Sequence, residues 1–327
     1  MKTATGGLAL AVILAAVVAQ PAFSQRYTVL TYNTGLLRVL GKDMVPVVPA
    51  RARLVARELA AFVAAATPDI ILLEEAWKNS TASAIAKALT PLGYTSIRPR
   101  GCSPFCLGSG LLVLLREPLR VVDWDFAAFT KRPGLEVVSA KGVFTSVVED
   151  PAAGGARFAL VGTHMTALDT IDGEPKDKGQ LDAFLSQAAQ VVAALDSVSG
   201  GGTLPVILLG DFNVGPGYAT AGYKAIAGAG GIAEAGEQLF PGSPLITWDP
   251  ANPLVSLGRY PLEPAAKIDH VFLRSGASRT WQVQSARRVL DQPVEGLSVT
   301  ASKSSQAILS PLSDHYGLLV EVEAEAK

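Results

Sequence analysis

Short apolar runs alternate along this chain with longer stretches of helical periodicity. Residues 26–33 (RYTVLTYN) read as a strand that places Tyr27, Val29 and Thr31 on one face. A helix opens near Pro49, with Leu54, Val55, Leu59, Phe62, Val63 and Ala66 at helical spacing, and Pro68-Asp69 stops it. Residues 70–73 and 205–209 are apolar throughout, as in strands buried on both faces. Residues 111–115 read the same way, and Pro118 turns the chain into a hairpin partner over 119–126. A helix is expected over 81–89. Another, over 178–195, carries the stripe Leu181, Phe184, Leu185, Ala188, Val192 and Leu195. Strands are also expected at 135–148, 157–163, 268–273, 281–290 and 316–322.

Strands therefore outnumber helices, and several neighbours read as hairpins, which argues against a purely parallel, doubly wound sheet. Yet the runs at 70–73 and 205–209 need cover on both faces. Two packed, mainly antiparallel sheets with helices on their outer faces satisfy both demands, an α/β sandwich.

Residues 1–24 read as a cleaved signal peptide: Lys2, an apolar run over 6–19, then Ala22-Phe23-Ser24 before Gln25. The run falls short of the roughly 20 residues that span a bilayer, so no transmembrane segment is expected. The product should be secreted or periplasmic. Residues 25–327 show no linker or repeat and read as a single catalytic domain and a monomer. The formal charge of −1 becomes −2 when Lys2 leaves with the leader, which argues against a non-specific DNA-coating protein but leaves room for a local basic groove. The only two cysteines, Cys102 and Cys106, are close enough for a local disulfide in an exported protein.

All three histidines sit in short motifs at strand ends: Gly162-Thr163-His164, Ile268-Asp269-His270 and Ser313-Asp314-His315. Gly210-Asp211-Phe212-Asn213 directly follows the apolar run 205–209. At strand spacing Asp211 and Asn213 share a face, with a carboxylate to orient water and an amide to hold a phosphoryl oxygen. Gly210 permits close backbone approach. An acidic neighbour, Asp314 or Asp269, can orient His315 for proton transfer. Glu74 and Glu75 close the run 70–73 on opposite faces, and one carboxylate with Asn33 nearby makes a hard-oxygen site for Mg²⁺, Mn²⁺ or Ca²⁺. A serine hydrolase is disfavoured, because Gly108-Ser109-Gly110 lacks the G-x-S-x-G elbow.

In order, these motifs resemble the endonuclease/exonuclease/phosphatase superfamily over essentially the whole mature chain. Thr31-Tyr32-Asn33 is similar to its first strand, Ile71-Leu72-Leu73-Glu74-Glu75 to its L-Q-E strand, and Ser313-Asp314-His315 to its closing signature. The resemblance implies a four-layer α/β sandwich and metal-dependent phosphoester hydrolysis. Asn33 and Glu75 would hold Mg²⁺, with Mn²⁺ or Ca²⁺ as alternatives. Asp211 would orient or deprotonate water, and Asn213 and His164 would bind phosphate oxygens. His315, oriented by Asp314 or Asp269, would act as base or acid. Glu74 stands where the family more often has Gln or Asn, which adds negative charge beside the metal.

Thr247-Trp248-Asp249-Pro250-Ala251-Asn252 resembles a stretch of secreted sphingomyelinases, as does Lys141-Gly142-Val143. The leading expectation is therefore hydrolysis of sphingomyelin to ceramide and phosphocholine at a membrane surface, bound transiently. Residues 292–310, where sphingomyelinases often carry an aromatic membrane hairpin, contain no aromatic residue. Phe105 and Leu107 offer a substitute, although packing beneath their own loop explains them more simply. The alternatives are a secreted nuclease using Arg38, Lys78, Arg98 and Arg100 on nucleic acid, another phospholipid or inositol phosphate esterase, and an inactive binding module on the same scaffold.

Overall fold

The structure, a computed structural model, describes residues 25–101, 106–171, 173–229, 231–258, 263–300 and 306–327. The expected leader and Cys102 lie outside the described residues, as does Phe105. One six-stranded sheet runs in the order Arg279–Val289, Gly317–Ala326, Gln25–Asn33, Ile70–Glu74, Leu112–Arg116, Tyr94–Ile97. The other runs Ala233–Glu234, Asp269–Arg274, Val206–Asp211, Ala156–His164, Gly142–Asp150, Arg120–Ala128. Each is mainly antiparallel with one parallel pair at its centre, Gln25–Asn33 beside Ile70–Glu74 and Ala156–His164 beside Val206–Asp211.

Alternation along the strands divides the apolar side chains among three interiors. Tyr27, Val29, Ile70, Leu72, Phe158, Leu160, Ile207 and Leu209 meet between the sheets. Their strand neighbours Leu30, Ile71 and Leu73 face outward onto Val55, Leu59 and Val63 of the helix Val48–Ala66 and Ile85 of the helix Asn79–Leu89. Val161, Val206 and Leu208 likewise pack on Phe184, Ala188, Val191 and Leu195 of the helix Lys178–Val198. Strands buried on both faces explain the unbroken apolar runs, since each such side chain removed from water stabilises the fold by about 1.5–3 kcal/mol. The result is the helix–sheet–sheet–helix sandwich expected from the pattern.

Three expectations are corrected. Residues 112–116 and 120–128 are not hairpin partners: the first pairs with Ile70–Glu74 and Tyr94–Ile97, the second with Gly142–Asp150 in the other sheet. A strand apolar on both faces needs a ladder on each edge, and the half-exposed 120–128 segment suits a sheet edge. Residues 135–148 are not one strand, because Pro133-Gly134 starts the 3₁₀ turn Gly134–Val138 and the strand begins at Gly142. In the helix Lys178–Val198, Gln187 is buried and Leu185 is exposed, so the apolar stripe is rotated from the expected one. Gln187 turns inward because its side chain bonds the Thr166 amide and the Lys131 carbonyl.

Candidate active site

The two parallel pairs end at the same edge of the sandwich, and this brings the motifs together. In the second sheet Asp211 stands opposite His164 on one side and Asp269 on the other. Gly210 makes that register possible: its φ is 146°, and a Cβ there would lie 1.9 Å from the Thr163 carbonyl oxygen. In the first sheet Asn33 stands opposite Glu74. Glu75 then adopts a left-handed φ of 57°. The strand alternation breaks there. Glu75 enters the cleft, while Glu74 points between the sheets towards the charges of Asp269 and Asp211.

His315 Nδ1 lies 2.9 Å from Asp269 Oδ2, and its Nε2 lies 3.9 Å from Asp211 Oδ2. Burial works against a charged imidazole here, but Asp269 and Asp211 outweigh it and hold His315 well above the usual histidine range. Asp314, the sequence neighbour, instead accepts from Ser313 Oγ at 3.1 Å. His164 Nε2 lies 3.4 Å from Asp211 Oδ2. Burial, Lys141 and His315 hold His164 well below the usual range, so it is neutral. Burial pushes the Asp211 carboxyl up to about 7, against the pull of His315 and with the push of Asp269. Asn33 Nδ2 donates to Asp211 Oδ2 at 2.8 Å, and the Asn213 amide N–H donates to Oδ1 at 2.9 Å.

Glu74 corrects an expectation. It is fully buried and accepts one bond, from Thr31 Oγ1 at 2.7 Å. Burial first, then the charge of Asp269, holds its carboxyl well above the usual range. The raised pKa favours its protonated, uncharged form.

The loops that carry these groups are tied by residues to which the sequence reading gave another role or none. Thr247 Oγ1 accepts from the amides of Ile268 and Asp269, both at 3.1 Å, and its carbonyl receives the Tyr316 amide at 2.7 Å. Asn252 Nδ2 donates to the Ser313 carbonyl at 2.8 Å, and Asn252 Oδ1 caps the short helix Pro253–Ser256. Thr247 and Asn252 thus hold the Asp269–His315 pair from behind. Arg51 is fully buried in the first long helix and donates to the carbonyls of Pro46, Thr34, Gly35 and Leu312. It joins the loop after Asn33 to the loop before His315. The same helix carries Arg53 and Arg57, and nothing in the sequence sets Arg51 apart from them. His270 belongs to the core: its Nε2 is 2.8 Å from the Val214 carbonyl, and Glu234 lies beside its Nδ1.

These side chains floor a cleft of about 430 Å³. Its floor carries Glu75, His164, Asp211, Asn213, Asp314 and His315, with Lys141 alongside. The lining also includes less buried apolar side chains, Leu37, Val39, Met44, Val45, Leu107, Pro133 and Val138, together with the acids Glu136, Asp169 and Glu263. Asp269 stands directly behind His315 and is fully buried.

The sequence model of the "Endonuclease/Exonuclease/phosphatase family" matches residues 30–315, from the first strand to His315 itself. The chain belongs to this family. Solved members share the fold at low identity. Sphingomyelinase C from Streptomyces griseocarneus is 24% identical with a TM-score of 0.68, covering 93% of this chain and 100% of that one. TDP2 from D. rerio, complexed with single-strand DNA product, is 18% identical with a TM-score of 0.63, covering 91% and 98%. A mannosyl-6-phosphatase from Bacteroides thetaiotaomicron is 19% identical with a TM-score of 0.63, covering 90% and 99%. No curated protein matches the chain by sequence.

A phosphoesterase of this family typically uses a divalent metal, and the floor contains groups that fit one. Glu75 Oε2 is a buried oxygen with no hydrogen-bond partner, and hard oxygen donors suit Mg²⁺. Asn33 turns its amide nitrogen towards Asp211 and, at 3.5 Å, Glu75. Its oxygen receives the Gly35 amide at 2.8 Å, which leaves one lone pair for a cation. Ligand atoms of Asp211, Asp269 and His315 also lie within 4.8 Å of one another and could hold a cation.

Proposed function

We propose that this family phosphoesterase is a secreted, Mg²⁺-dependent phosphodiesterase that cleaves sphingomyelin into ceramide and phosphocholine. The mixed lining of the cleft carries the reading. Acids, imidazoles and a single lysine line it together with less buried apolar side chains, as an amphiphile with a phosphate head requires. A polynucleotide groove would need several cations along its path. Among the described lining residues Lys141 is the only lysine or arginine. Arg38 and Arg98 do not line the cleft: Arg38 pairs with Asp43, and Arg98 bonds the Ala76 and Trp77 carbonyls. On the wall, Asp169 and Glu263 stand with Tyr218 and Trp248, two aromatics that pack together. Carboxylates and aromatic faces suit a quaternary ammonium. The sphingomyelinase C of the same fold is named for this substrate class.

Asp211, poised near neutrality, takes a proton from the attacking water as its oxygen bonds to phosphorus. His315, charged and oriented by Asp269, gives its proton to the departing ceramide oxygen as the phosphorus–oxygen bond breaks. The neutral His164, Asn213 and Lys141 bind phosphoryl oxygens. The Met165 carbonyl receives Asn213 Nδ2 and Lys141 Nζ, each at 3.1 Å, which sets those two groups side by side. Glu75 and Asn33 would hold Mg²⁺, which supplies Lewis-acid neutralisation of the phosphoryl oxygens.

The test compares the purified chain on sphingomyelin, phosphatidylcholine, plasmid DNA and inositol phosphates, each with Mg²⁺ and with EDTA. Chelator-sensitive release of phosphocholine from sphingomyelin is expected to exceed turnover of the other three. Faster cleavage of DNA would overturn the lipid assignment.

A further inference from the structure

Three surface segments beside the cleft each carry a largely exposed apolar side chain. Leu40 is 98% exposed, Ile171 63% and Val137 60%. Single exposed apolar residues are ordinary on soluble proteins, but these three are not scattered. Leu37, Val39, Met44 and Val45 line the cleft on either side of Leu40, Val138 lines it next to Val137, and Leu168 and Asp169 line it just before Ile171.

Leu40 carries a second observation. Arg38 pairs with Asp43 and Val39 with Lys42, so Leu40-Gly41 forms a two-residue hairpin loop. Both loop residues have positive φ, 49° and 80°. That turn favours Asn-Gly or Asp-Gly, and leucine is a poor residue there. The tip therefore holds a side chain that is unfavourable both for the backbone and for exposure to water. The Arg38–Asp43 ion pair at 2.6 Å and the Met44 amide on the Leu37 carbonyl at 3.1 Å brace the hairpin beneath it. Local folding does not explain the leucine.

We propose that Leu40, Val137 and Ile171 form a docking face that seats the mouth of the cleft on a zwitterionic phospholipid bilayer, with the Leu40 hairpin entering the interface first. The proposal rests on the lipid reading above and names the surface through which the enzyme meets its substrate. Continuity selects the occupant: the exposed tips lie close in sequence to apolar side chains of the cleft lining, which joins bilayer to cleft wall. Charge selects the head group. On the hairpin Asp43 offsets Arg38 and leaves Lys42, Lys131 and Arg132 lie near Val137 in sequence, and Glu136 and Glu174 lie near Val137 and Ile171, so both signs of charge are present around the tips. The late hairpin Ser298–Thr300 with Ala307–Leu309 also exposes Ile308 and Leu309, but no described residue of that hairpin lines the cleft.

The experiment measures co-sedimentation of the full chain with sphingomyelin/phosphatidylcholine vesicles and, separately, hydrolysis of the water-soluble diester bis(p-nitrophenyl) phosphate with Mg²⁺. Leu40→Asn suits the turn, so thermal stability should be kept or raised, while partition to vesicles should fall about tenfold, as expected for withdrawing one aliphatic side chain. Leu40→Asp with Val137→Asp should reduce partition further and leave hydrolysis of the soluble diester unchanged. Wild-type partition by both variants overturns the docking face while leaving the lipid reading intact. Partition to anionic vesicles alone also overturns it. Normal vesicle partition without release of phosphocholine overturns the lipid reading and not the face.

Discussion

At the residue scale, the decisive contact is between His315 and Asp269. Sequence order makes Asp314 an equal candidate, and only the structure shows that Asp269, on another strand, holds the imidazole at 2.9 Å. The sign of the resulting pH effect is fixed. His315 must be protonated to act as an acid, and Asp269 helps raise its pKa, so activity is lost as pH rises through that raised value. Asp269→Asn should lower kcat by about 10²–10⁴-fold and move the alkaline limb of the rate profile to lower pH. Asp314→Asn should move that limb in the same direction but less, since the charge of Asp314 is the smallest of the contributions that raise the imidazole. Rate–pH profiles of the two variants provide the check, and an unmoved limb in Asp269→Asn would remove Asp269 from this role.

At the element scale, strand ends and their motifs are legible because apolar runs and polar punctuation are local. Asn33, Glu75, His164, Asp211, Asn213, Asp269, Asp314 and His315 all come to one edge from six separate stretches of chain. Pairing across the sandwich is not local. The hairpin expected at Pro118 is replaced by a crossing between sheets, because the demand of residues 112–116 for two ladder neighbours cannot be read from their own sequence. Arg51 is missed for a related reason: an arginine on a helix reads as solvated until the carbonyls it satisfies are known. The Thr247–Asn252 motif was legible as a likeness, but Thr247 and Asn252 stand behind the site while Trp248 lines the cleft. Thr247→Val would orphan two buried amides, each worth about 1–3 kcal/mol. Denaturant unfolding should show a loss of roughly 2–6 kcal/mol, with lower kcat and unchanged preference among lipids. Thr247→Ser should restore both quantities.

For the whole molecule, one cluster away from the chemistry sets a limit on acid tolerance. Lys267 and Glu234 form a buried pair at 2.5 Å, with His270 3.6 Å from the same carboxylate oxygen. Burial alone would raise the Glu234 carboxyl, but His270 and Lys267 overcome it and bring it to about 2 from an ordinary 4.5. A depressed carboxylate stabilises the fold above its unfolded pKa, and that contribution is lost as pH falls from about 4.5 towards 2. Its size is on the order of 3 kcal/mol. Glu234→Gln should therefore show a flatter fall in urea-unfolding stability than the parent between pH 5 and pH 2.5. Parallel curves would mean that the pair contributes nothing to acid sensitivity.

The division of the site between two sheets reaches beyond chemistry. Asn33, Glu75 and His315 belong to one sheet and its loops, and His164, Asp211 and Asp269 to the other. Their meeting depends on interlocking aromatic rings such as Tyr27 and Phe158, whose centroids are 5.0 Å apart. A slight slip of one half against the other would silence the enzyme while every helix and ladder stayed whole. Warming the protein should accordingly extinguish turnover before circular dichroism registers any melting.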